Sequence, residues 1–485
     1  MLFNSFSFAV FFPTVVVLYY FVPSAYRVLL LLVASCIFYM AFVPAYVLIL
    51  FSLITLDFFL APIIARTTAP HRLHLLWISI SANLGMLFFF KYFNFFNINV
   101  AALASFLHWN YSPSLLTIAL PLGLSFHVFQ SLSYVIEVYR GKYVPERNYL
   151  VYALYVMFFP QLVAGPIERP QHLLPQFRKA HPFDAVRVRR GLERMLWGFF
   201  KKLVIADNIA PIVDQIYSGN PTNGPLIIFT AFLFTYQLYC DFSGYSDIAL
   251  GAALILGYDL MENFDRPFAG RTIAELWRRW HISLSSWLRD YLFTPLFWSG
   301  RHRKYWAEVS VFTSFVLIGL WHGANWTYVV FGALNGLYVT FGSLSGAWRK
   351  RSVEILGIAK MSRMHHAMQI LITFALFAFC LIFFRASDVK HAWQLISHLG
   401  NGLGDINPIH SWFAANGPID KVHIGVVLVG IIFLELVQYR RIILGSFHIF
   451  DRSPKALRYA WYYALFFGII FFGRFAGQPF IYFRF

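Results

Sequence analysis

Apolar runs of membrane-spanning length follow one another along most of this chain, with only short loops between them. A bilayer core of about 30 Å is crossed by about 20 apolar residues in a helix. Runs that approach or meet that length cover Phe6–Val22, Val28–Phe42, Ala45–Ala65, Leu75–Phe96 and Ser114–Val138. Six more cover Leu226–Leu256, Tyr305–Leu320, Trp326–Leu344, Ala367–Phe384, Val422–Val437 and Tyr459–Phe472. Pro23, Pro44 and Pro113 punctuate the first half. Hydrophobic residues make up 59% of the chain and charged ones only 13%. Soluble domains carry roughly a quarter charged residues, so too few are present here to cover a soluble surface. No polar stretch is long enough to serve as a linker. The expectation is an all-α, polytopic transmembrane protein forming one membrane domain over 1–485, with about 11–12 spans plus short re-entrant or interfacial helices. The first Lys or Arg is Arg27, so the first run lacks the basic flank of a signal peptide and reads as a retained span.

Lys and Arg number 39 against 22 Asp and Glu, and their placement decides what that excess means. They gather in loops at Arg66–Arg72, Arg140–Arg147, Arg178–Lys202, Arg266–Lys304, Arg349–Arg363 and Arg440–Arg458. That is the pattern of cytoplasmic loops, with attraction to membrane lipids as a consequence, and not a nucleic-acid surface. If Arg27 and the Arg66–His74 loop both lie on the cytoplasmic side, the N-terminus lies outside. Tyr149–Ile167 is apolar, has basic flanks on both sides, and is broken by Pro160, Gly165 and Pro166. It cannot cross once, so a re-entrant segment covered by protein is expected. Gly191–Tyr217 is interrupted by Glu193, Arg194, Lys201 and Lys202, and reads as an amphipathic interfacial helix leading into a span. Cys36, Cys240 and Cys380 sit in apolar surroundings and suggest neither a disulfide nor a metal framework.

Two histidines stand apart. His322 lies in Gly319-Leu-Trp-His-Gly-Ala-Asn325, at the break between two apolar runs. Ionisable groups at such depth are costly and mark functional sites by default. A neutral imidazole there can take a proton near neutral pH. His281 lies in Trp277-Arg-Arg-Trp-His-Ile-Ser-Leu-Ser-Ser-Trp-Leu-Arg-Asp-Tyr291. Trp277, His281, Leu284, Leu288 and Tyr291 fall on one stripe of a continuous helix, away from Arg278, Arg279 and Arg289. On periodicity alone the more common reading of His281 is a packed core histidine or an interfacial anchor beside tryptophans, with a chemical role the alternative. Cys240-Asp-Phe-Ser-Gly-Tyr-Ser-Asp247 places Asp241 and Asp247 beside Ser243 and Tyr245, with Gly244 allowing close backbone approach. The carboxylates suit a proton relay, a cation site or, most commonly, pairing with basic side chains. P-loop, zinc-helix and serine-elbow motifs are missing from the sequence.

At these residues the chain resembles the membrane-bound O-acyltransferase family, in its bacterial branch. The matching segments are Pro121-Leu-Gly-Leu-Ser-Phe, Ser133-Tyr-Val-Ile-Glu-Val-Tyr-Arg-Gly141, Phe159-Pro-Gln-Leu-Val-Ala-Gly-Pro166 and Asp241-Phe-Ser-Gly-Tyr-Ser-Asp247. Glu262-Asn-Phe264, the Trp277–Tyr291 stretch, Trp321-His-Gly-Ala-Asn325 and the ending Phe480-Ile-Tyr-Phe-Arg-Phe485 complete the set. The resemblance implies a helical shell around a funnel or tunnel, with a core over about 120–345. It places the family's two histidines on His322 and His281. Asn325, Trp321, Asn263, Trp277, Trp280, Arg289, Asp241, Ser243, Tyr245 and Asp247 are its supporting candidates. The implied reaction carries an acetyl group from a cytoplasmic thioester, acetyl-CoA or an acylated carrier protein, to a hydroxyl of an exported polysaccharide such as alginate. A periplasmic partner of the SGNH-hydrolase type is implied, and neither a tightly bound cofactor nor a metal. His127 stands where an aromatic is expected, and Phe297–Tyr305 departs from the branch. The alternative is a transporter or flippase for an acyl donor or lipid-linked sugar.

Overall fold

The computed structural model describes all residues except 119, 356–361, 416–417, 445–453, 476–478 and 482–485. Parts of the Arg349–Arg363 and Arg440–Arg458 loops, and the last four residues of the C-terminal motif, therefore lie outside the described residues. Helices joined by turns make up the described chain, and no strand occurs among the described residues. Among the described residues six helices are long and apolar enough to cross a membrane: Tyr46–Arg66, His71–Phe106, Gly224–Ile255, Trp326–Leu344, Arg363–Arg385 and Lys421–Arg440. Phe6–Phe21, Ser24–Met40 and Trp306–His322 are shorter apolar helices. The chain is a multi-pass membrane protein. The apolar runs locate most helices closely. Two boundaries moved: the fourth run extends to Phe106, and the fifth becomes helical only from Leu124.

The chain forms two compact units, Met1–Met195 with Ser246–Met261, and Leu196–Tyr245 with Glu262–Phe485. In the first, Asp57 of the Tyr46–Arg66 helix is fully buried. It accepts from Ser79 Oγ at 2.5 Å and Asn83 Nδ2 at 2.9 Å, both on the neighbouring helix. Tyr149–Ile167 folds as two broken helices, Tyr149–Met157 and Phe159–Leu162, followed by an irregular stretch. Residues 151–168 are buried throughout, the cover by protein that irregular backbone inside a membrane would require. Glu168 holds the end of this segment by accepting from the Met261 amide at 2.5 Å and His172 Nδ1 at 2.7 Å. Asp247 belongs to this unit and pairs with Arg194 at 3.0 Å. His127 is also here, 1% exposed, with no hydrogen-bond partner at either ring nitrogen among the described residues.

The Gly191–Tyr217 segment begins within an amphipathic, partly exposed helix, Ala185–Phe199, but from Phe200 on, in the second unit, it is largely buried and not interfacial. A π-helical turn, Phe200–Ala206, interrupts it, and Lys201 and Lys202 are buried. Lys202 lies 2.8 Å from Asp207 and 2.5 Å from Asp241, so two carboxylates offset the cost of taking its charge out of water. Gly244 allows this approach: a Cβ there would stand 2.8 Å from the Gly198 carbonyl oxygen.

Candidate active site

His322 is the last residue of the Trp306–His322 helix, and Gly323 turns the chain with extended φ −167° and ψ 155°. The next helix, Trp326–Leu344, packs back against the first. Glycines make that return so close. A Cβ on Gly319 would lie 2.1 Å from the Tyr328 carbonyl oxygen, and one on Gly332 would lie 2.3 Å from that of Phe315. Small residues at facing positions let two backbones approach where side chains would hold them apart. His322 follows Gly319 by one turn and is thereby fixed at the hairpin tip, 3% exposed. Its ring meets Trp321, Phe384 and Phe331 at centroid distances of 4.9, 5.2 and 5.9 Å.

The continuous helix expected over Trp277–Tyr291 is broken. One helix covers Ile273–Arg279 and another Ile282–Leu288, with His281 between them in left-handed backbone, φ 45° and ψ 53°. Hydrogen bonds from outside the segment explain the break. The Ile282 amide donates to the Asn263 carbonyl at 2.9 Å, and the Asp265 amide to that of Arg279 at 2.9 Å. The Asn263 side-chain oxygen sits 2.8 Å from Ser283 Oγ and 3.1 Å from His281 Nδ1. An amide oxygen only accepts, so Nδ1 carries the proton and Nε2 keeps the lone pair. His281 is fully buried, and burial pushes its pKa down to about 3. The ring is neutral at physiological pH. It packs on Phe242 at 4.7 Å and on Trp321 at 6.0 Å. One indole, that of Trp321, thus touches both histidines.

The other candidates divide by what their side chains do. Trp277 Nε1 donates to Asn335 Oδ1 at 3.0 Å, and its ring meets Phe315 at 5.3 Å. Trp280 packs edge-on against Phe264 and Phe377 and at a tilt against Tyr239. Ser243 accepts from Lys201 Nζ at 2.9 Å, and Tyr245 stacks on Phe480 at 4.7 Å. Asp241 accepts from the Ile481 amide at 2.6 Å besides pairing with Lys202. Of the roles open to the two carboxylates, pairing with basic side chains is what these contacts fit. Asn325 is engaged away from the imidazole: Oδ1 caps the Trp326–Leu344 helix at the Thr327 amide, 3.1 Å, and Nδ2 donates to the Ser387 carbonyl, 2.9 Å. Arg289 is exposed and paired with Asp290 at 2.9 Å. With Arg278, it also borders a cavity of about 270 Å³ lined by Trp277, Leu288 and Ile318. Sequence reasoning missed Asn335, a buried amide inside an apolar helix. Its position in a spanning run was a usable signal. No group of three His, Cys, Asp or Glu residues able to hold a metal occurs among the described residues.

A membrane helix assembly with two buried histidines sharing one indole is the setting in which the comparisons fall. The profile of the membrane-bound O-acyltransferase family matches residues 146–355. The probable alginate O-acetylase AlgI of Pseudomonas aeruginosa is 37% identical over 393 residues, 79% of this chain and 72% of that protein. The peptidoglycan O-acetyltransferase of Helicobacter pylori is 31% identical over 468 residues, 88% of this chain and 85% of that protein. The teichoic acid D-alanyltransferase of Bacillus subtilis is 28% identical over 284 residues, 56% and 70% of the two chains. The chain belongs to the membrane-bound O-acyltransferase family. It is an O-acyltransferase.

Proposed function

We propose that the chain takes an acetyl group from a cytoplasmic thioester and passes it toward a hydroxyl of an exported polysaccharide such as alginate. The observation that carries this reading is the burial of His281 and His322 against one indole. The acceptor class is suggested by the relatives, whose names specify alginate and peptidoglycan. A thioester carbonyl is already electrophilic, so the protein mainly has to activate the hydroxyl and exclude water. His322 takes the hydroxyl proton as the new C–O bond forms. It returns that proton to the departing thiolate as the C–S bond breaks, which leaves a free thiol and an ester. His281, held by Asn263 with Nε2 as acceptor, orients the acceptor hydroxyl or the His322 ring. Its depressed pKa keeps it from becoming a buried cation during turnover. The cavity beside Trp277, with Arg278 and Arg289 at its border, suits the phosphate-bearing arm shared by coenzyme A and acylated carrier proteins.

In this reading the protein sits in the bacterial inner membrane with its N-terminus outside, and an SGNH-type partner receives the acetyl group. The purified chain in liposomes, given acetyl-labelled coenzyme A or an acetylated carrier protein on one face, should release free thiol and form labelled ester on an oligosaccharide acceptor supplied with the partner. Movement of intact donor into the lumen, with no ester formed, would replace this reading with transport.

A further inference from the structure

The Trp326–Leu344 and Ser362–Arg385 helices enclose, with the short Gly346–Ile355 helix, a cavity of about 690 Å³ outside the histidine site. We propose that it binds one anionic phospholipid. Volumes of this order hold a whole small ligand rather than a lone ion. Its walls are apolar, and several turn outward: Phe341 is 65%, Trp348 68% and Ile372 54% exposed. Phe341 and Ile372 lie on helices long enough to span a membrane, where such side chains face acyl chains, and Trp348 lies on the short Gly346–Ile355 helix beside them. Arg271, Arg349, Lys350 and His365 line the same cavity, and neither Asp nor Glu does among the described residues.

The neighbouring charges and hydrogen bonds show which cations remain for a ligand. Glu275 accepts from the Arg271 amide at 3.0 Å and lies 3.5 Å from its Nε, while also holding Arg279. His366 Nε2 is 3.5 Å from Arg271 Nη1. Arg349 donates to the Gly342 carbonyl at 2.6 Å, at the end of the Trp326–Leu344 helix. Lys350 and His365 have no carboxylate partner among the described residues. Free phosphate would satisfy this end and leave the apolar walls uncovered. A zwitterionic lipid would cover the walls but bring its ammonium against the cations. A lipid with an anionic head and acyl chains answers both ends, and the bilayer supplies it at high local concentration.

The test uses the full chain in detergent, titrated with phosphatidylglycerol or phosphatidylcholine, with retained lipid counted by native mass spectrometry. Phosphatidylglycerol should be retained at least about fivefold better, with about fivefold lost per cation removed in Lys350→Gln and in Lys350→Gln/Arg271→Gln. Should the double variant fail to fold, Lys350→Gln alone decides by the same count. Equal retention of the two lipids, or an unchanged preference in Lys350→Gln, would overturn the proposal. Displacement of phosphatidylglycerol by an equal concentration of coenzyme A would also overturn it, by reassigning the cavity to the donor.

Discussion

His281 holds a backbone conformation that a side chain with a Cβ adopts only at a cost of about 1–3 kcal/mol. Hydrogen bonds between this segment and residues 263–265 over-determine it. No periodicity argument reveals this, because the Trp277–Tyr291 pattern fits an unbroken helix and the constraint comes from elsewhere in the chain. What was legible was the residue: an ionisable side chain among tryptophans, beside a family motif. A pH dependence follows with a definite sign. An unfolded histidine binds a proton below about pH 6.5, whereas buried His281 resists protonation down to about 3. The unfolded state then binds more protons throughout that window, so stability falls as pH drops from 6.5 and is insensitive to this group above it. His281→Gln should remove about 1.4 kcal/mol per pH unit of that slope below pH 6. Thermal unfolding in detergent between pH 7 and 5 measures it. Parallel curves for the two proteins would show that burial of a neutral ring is not what the site maintains.

At the level of elements, the hairpin of Trp306–His322 and Trp326–Leu344 sets where His322 stands. Both helices were legible as apolar runs flanking a Gly-Ala-Asn break, since chain hydrophobicity alone dictates them. The crossing was not, because it depends on Gly319 and Gly332 meeting face to face, a pairing that linear spacing does not display. Gly319→Val should push the helices apart, costing about 1–3 kcal/mol of stability and more than tenfold in transfer through displacement of His322. Gly342, where a Cβ meets nothing within 4 Å, supplies the control. Comparable losses in Gly319→Val and Gly342→Val would show that the tight approach is not what positions the histidine. Linear spacing likewise does not display what Asn325, a supporting candidate beside the histidine, does in the fold: its side-chain oxygen caps the next helix.

At the level of the whole molecule, membrane character followed from composition and the arrangement of apolar runs. Arg27 and five later basic loops can share one side, an orientation that can be tested directly. With Cys36 replaced by Ala, single cysteines at Thr68 and Lys179 should react with a membrane-impermeant maleimide only after the cytoplasmic face is opened. Labelling of the two from opposite faces would contradict a shared cytoplasmic side.

The central claim is that His322 moves the proton in acyl transfer, and His322→Ala in liposomes with labelled acetyl thioester, partner and acceptor tests it most directly. Ester formation should fall by about 10²–10⁴-fold while membrane insertion and thermal stability stay near those of the unaltered protein. Ester formed by a well-folded His322→Ala protein at the unaltered rate would contradict it.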